Sequence, residues 1–134
     1  MKTSKAFIVA LLLCAFSSFA VAADLVVIGH PSASTLSKAQ VADIYLGKTS
    51  SGTLYDLPEN SALYASFYEQ ATGRNVSQVK STWARIVFSG QAQAPTQLPD
   101  SSAVKRAVAE DPRAIGYIEK SALDSSVKVL LDLN

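Results

Sequence analysis

The sequence predicts one α/β domain. Apolar, β-branched runs alternate with segments of helical periodicity, and most helical segments have a polar start with a glycine or proline stop. No repeat or linker divides residues 23–134. That length buries well over half of its unfolded surface, so a single core is enough to hold it.

The elements follow in order. Asp24–Gly29 (DLVVIG) is a continuous apolar run, the pattern of a buried strand, and His30–Thr35 is a small polar loop. Ser37 is placed as a helix N-cap, with Gln40 completing a capping box. Val41, Ile44 and Tyr45 share one face of that helix and Gly47 stops it. Thr53–Leu57 is a short strand. Either Asn60 or Ser61 caps the next helix, whose inner stripe is Leu63, Phe67 and Ala71 and whose stop is Gly73. A further helix starts near Val76, with Val79, Trp83, Ile86 and Val87 at helical spacing, and closes at Ser89-Gly90. Residues 91–99 carry two prolines and read as an exposed loop. Asp100 or Ser101 caps a helix through Val104, Ala107 and Val108, which Pro112 ends. Ala114–Ile118 and Val127–Leu133 are the last two strands.

Residues 1–22 are expected to be a cleaved secretory signal. Lys2 and Lys5 precede the apolar run Ala6–Ala15, and Ala20-Val21-Ala22 supplies the small residues of a cleavage site. The run is short for a membrane span, which needs about 20 residues. Leu13 before Cys14 argues against a lipid anchor, so the only cysteine leaves with the signal and the remainder is held without disulfides. Among 12 basic and 11 acidic residues, two lysines lie in the signal, which leaves residues 23–134 near −1. Such a balance does not gather nucleic acid or anionic membrane.

Most catalytic motifs fail on spacing. Gly47-Lys48-Thr49 resembles the end of a P-loop, but Ala42 stands where its first glycine is needed. Ser77-Gln78-Val79-Lys80 matches S-x-x-K without the downstream K-T-G and S-D-N partners, so Ser77 is read as a polar residue of a cap region. His30 is the only histidine and the acidic residues lack calcium-loop spacing, so no metal site, cofactor or enzyme is expected. Trp83 and the tyrosines sit at core spacing and read as packing. The remaining chemistry is that of a helix start, where unpaired backbone N–H groups and partial positive charge suit an oxyanion. Asn60, Ser61 and Ala62 are the candidate ligand-binding residues, although Asn60 and Ser61 also serve as ordinary caps.

Two stretches carry a family resemblance: Leu36-Ser37-Lys38-Ala39-Gln40, running on through Ile44-Tyr45-Leu46-Gly47-Lys48, and downstream Asp111-Pro112-Arg113-Ala114-Ile115-Gly116-Tyr117. In that order they resemble the PstS-like phosphate-binding subfamily of periplasmic solute-binding proteins, over roughly Val26 to Leu130. The resemblance implies a single lobe of a type II periplasmic-binding-protein-like clamp, with a small mixed sheet flanked by helices. It implies periplasmic location, phosphate or a similar oxyanion as ligand, and an ABC permease, a second lobe or a second copy as partner. In the family an R-x-x-x-SGT element holds phosphate on this lobe. Here Ser61 keeps the serine, Ala62 and Leu63 replace the glycine and threonine, no arginine precedes them, and Glu59 adds a negative charge. The expectation is therefore weak or vestigial oxyanion binding. The alternative is an envelope interaction module that keeps the lobe without the ligand.

Overall fold

The computed structural model describes residues 24–50 and 52–134. The expected signal and its cleavage site lie outside them. The order is β1 (Leu25–Gly29), α1 (Lys38–Tyr45), β2 (Thr53–Asp56), α2 (Ala62–Thr72), α3 (Val76–Phe88), β3 (Thr96–Gln97), α4 (Ser101–Glu110), β4 (Ala114–Glu119) and β5 (Lys128–Asp132). The five strands form one mixed sheet, β3-β2-β4-β1-β5. β2 runs parallel to β3 and β4, with Thr53 opposite Ala114. β1 runs antiparallel to β4 and β5, with Leu25 opposite Glu119, and a bulge at Val27/Ile28 shifts the β5 register.

Local chemistry sets the helix ends. Ser37 and Gln40 form the expected capping box. Of the alternatives left open, Ser61 caps α2 and Asp100 caps α4. Asn75 and Gln78 form a second capping box at α3. Gly47 and Gly73, both at positive φ, follow the ends of α1 and α2.

Helices cover both faces of the sheet. α4 lies on the face from which Gly116 lacks a side chain: a Cβ there would stand 2.5 Å from Val104 Cγ1. The glycine of the Ala114–Tyr117 stretch thus lets a helix approach the strand closely. On the opposite face Tyr117 stacks on Phe67 of α2, with ring centroids 3.7 Å apart and planes 3° from parallel. Tyr45 of α1 meets Phe67 edge-on at 4.8 Å. Trp83 of α3 donates from Nε1 to the Tyr45 carbonyl at 2.8 Å, satisfying a carbonyl that the end of α1 leaves orphaned. The aromatic residues Tyr45, Tyr64, Tyr68, Trp83 and Tyr117 are all buried, as packing groups.

Three expectations need correction. Val87 leaves the core stripe and is half exposed, because α3 turns that position past the edge of its contact with the core. Tyr64 and Tyr68 join Phe67 and Ala71 in the inner stripe of α2, and Leu63 is only partly buried. Within the expected loop, Thr96–Gln97 extends the sheet beside β2, although its side chains face solvent.

Candidate functional site

The parallel strands give the sheet two distinct ends. At the carboxyl ends of β2, β3 and β4, helices α2 and α4 begin, and a cleft of about 390 Å³ opens between them. In open α/β sheets this crevice is where ligands settle, since helix N-termini present unpaired amides there. The cleft is lined by Ser61 and Leu63 from α2, by Asp100, Ser101 and Ser102 from α4, and by Glu119 at the end of β4.

The three candidate residues sit together at this helix start. Asn60 is exposed in the preceding turn, Ser61 is the N-cap, and Ala62 is the exposed first residue of α2. The Ser61 hydroxyl accepts from the Tyr64 amide at 3.2 Å and donates to the Pro58 carbonyl at 2.7 Å. Its proton and one lone pair are thus engaged within the chain. The first-turn amides of Ala62 and Leu63 have no intrahelical acceptor and are the candidate donors; Ser61 and Leu63 line the cleft, whereas Asn60 and Ala62 lie outside its lining. Asp100 accepts from the Ala103 amide at 2.9 Å as the cap of α4. The charged side chains lining this cleft, Asp100 and Glu119, are both carboxylates.

A larger cleft, about 650 Å³, lies at the amino ends of the same strands. The residues at or just beyond the ends of α1, α3 and α4 line it, so the helix dipoles there present partial negative charge. Lys48 and Arg113 offset that charge, and the Asp111 carboxylate at the end of α4 adds to it. Size alone favours this cleft for a ligand; the direction of the helices favours the smaller one for an anion, and direction decides the chemistry.

Sequence reasoning missed Asp56, the last residue of β2. It is 3% exposed and, among the described residues, the one charged side chain that is buried. Its Oδ2 accepts from the Tyr68 hydroxyl at 2.6 Å, and its Oδ1 accepts from the Tyr117 hydroxyl and from the Leu57 amide at 3.0 Å. Burial pushes its carboxyl up to about 6, against the opposing pull of those hydrogen bonds. A carboxylate following Leu54 and Tyr55 at the end of a short strand was the available signal. Among the described residues no group of histidine, cysteine or acidic side chains could hold a metal ion, and no helix is long and apolar enough to cross a membrane.

No family model matches the chain, and no curated protein matches it. Solved structures do. An ABC-type phosphate transport receptor from Vibrio cholerae is similar with a TM-score of 0.62 and 18% identity, over 81% of this chain and 45% of that one. A putative phosphate ABC transporter substrate-binding protein from Clostridium perfringens, with bound phosphate, is similar with a TM-score of 0.61 and 22% identity, over 81% and 44%. The chain spans less than half the length of either structure. The mixed α/β architecture is thus the fold of part of a phosphate-transport binding protein, as the two sequence stretches implied.

Proposed function

We propose that this chain is an exported, periplasmic solute-binding-type domain that takes a small oxyanion weakly at the start of α2, around Asn60, Ser61 and Ala62. The observation that supports it most is the meeting of two helix N-termini, of α2 and α4, on one cleft at the carboxyl ends of the strands. Fold likeness to phosphate-binding proteins makes phosphate the first ligand to try.

The geometry also limits the affinity. A charge-assisted hydrogen bond contributes roughly 1.5–3 kcal/mol before ordering costs. The amides of Ala62 and Leu63 with one serine lone pair, facing two carboxylates, correspond to a dissociation constant near millimolar, about −4 kcal/mol. Capture at transport-grade affinity would then need a second surface closing on the anion, from a partner lobe or a second copy of the chain. Isothermal titration of residues 23–134 with phosphate, sulfate and arsenate tests the reading. It predicts weak heats for the oxyanions and weaker ones in Ser61→Ala. No heat and no thermal shift at about 10 mM phosphate would remove the ligand, since a site of that affinity would be largely filled.

One observation favours a second reading, an envelope interaction module that keeps the fold without the ligand. The Ser61 hydroxyl already bonds twice within the chain, and Asp100 and Glu119 repel an anion from the cleft. A specific co-purifying partner together with no oxyanion binding would support it.

A further inference from the structure

Asp56 is a buried carboxylate with no cation within ion-pair distance: the salt bridges among the described residues join Lys80 to Glu59, Lys105 to Asp124 and Lys120 to Asp132. Its charge is met only by neutral donors, two phenols and one amide. A buried charge held in this way is costly, and accepting a proton relieves the cost. The groups facing it are Tyr45 from α1, Tyr64 and Tyr68 from α2 and Tyr117 from β4. A small cleft of about 170 Å³ reaches it: Asp56 and Tyr68 line that cleft together with Glu59, Tyr64 and Lys80. Tyr64 packs on Tyr68 with ring centroids 4.7 Å apart. The cleft therefore brings solvent to the Asp56 carboxylate although the residue is 3% exposed.

We propose that Asp56 is a proton-uptake site, filled from this cleft, that makes the folded chain more stable at mildly acid than at neutral pH. A solvent acid in the cleft gives its proton to the Asp56 carboxylate, and the net change is one solvent proton on Asp56. The neutral acid keeps Oδ1 as acceptor for Leu57 and Tyr117, and donates from Oδ2 to the Tyr68 hydroxyl oxygen, with which it is already paired. The junction of β2, α2 and β4 thus survives protonation and loses only its charge.

The sign follows from linkage. A carboxyl raised from 3.8 to about 6 in the folded chain contributes stability that is full below the unfolded value and lost as pH rises through the folded one. Asp124 and Asp132 act in the opposite sense. Hydrogen bonds from Lys105 and Lys120 hold them below the usual range, so their stabilisation fades as pH falls. The readout is therefore the difference between wild type and Asp56→Asn, which mimics the neutral acid and leaves the other two in place. Urea unfolding of the protein as its host produces it, from pH 7.5 to 4.5, should show the folding constant of wild type gaining about 20-fold on that of Asp56→Asn. Parallel profiles would overturn the proposal. If Asp56→Asn fails to fold, infrared difference spectra of wild type between pH 7.5 and 4.5 decide. The carbonyl stretch of a buried, hydrogen-bonded carboxylic acid should appear on acidification, and its absence would overturn the proposal equally.

Discussion

The two ends of the sheet carry opposite helix polarity and different side chains. At the amino ends of the parallel strands, helix C-termini meet Lys48 and Arg113, with Asp111 beside them. At the carboxyl ends, helix N-termini meet Ser61, Asp100 and Glu119. The two cations at one end and the two carboxylates at the other offset the partial charge of the helix ends, so the chain already satisfies part of what a ligand would otherwise supply. The difference teaches why cleft volume is a poor guide here. The broad end has no helix start to offer an anion, whereas the narrow end has two, partly occupied by their own caps.

Substitutions at the carboxyl end should cost most. Asp56→Ala leaves the Tyr68 and Tyr117 hydroxyls and the Leu57 amide without their acceptor, and should lower stability by about 2–4 kcal/mol in urea unfolding. Gly116→Ala tests the layer that joins the two ends. Its new methyl would meet Val104, whose branched side chain has little freedom to move, and the loss should be about 1–3 kcal/mol, read as a lower unfolding midpoint. Asp100→Ala removes the α4 cap and should cost about 1 kcal/mol. Glu119→Gln removes a charge from the same cleft and should tighten phosphate binding severalfold with little change in stability. Lys48→Ala and Arg113→Ala should each stay within about 0.5 kcal/mol of wild type and leave phosphate titration unchanged. A loss of phosphate binding in either would move the site to the other end of the sheet.

The sequence was legible where the information is local. Ser37 with Gln40 announced α1, and the apolar run after Asp24 announced β1. Gly116 was legible only as part of a family-like stretch; the physical reason, Val104 pressed against the strand, needed the packing of α4. Val87 shows the limit of helical periodicity, which gives a face but not where the neighbouring layer stops. Asp56 was hidden for a different reason. Its partners Tyr68 and Tyr117 lie 12 and 61 residues along the chain, and nothing beside Asp56 in sequence states that both phenols converge on it. The site was legible by half: Ser61 as a cap was readable, but the arrival of the α4 start on the same cleft depends on strand order.

Chemical-shift mapping of residues 23–134 during phosphate titration tests the central claim most directly, because it reports both place and strength. The account predicts saturable shifts at the amides of Ala62 and Leu63, with a midpoint near millimolar, and none around Lys48 and Arg113. Shifts confined to the amino end of the sheet, or none at either end, would contradict it.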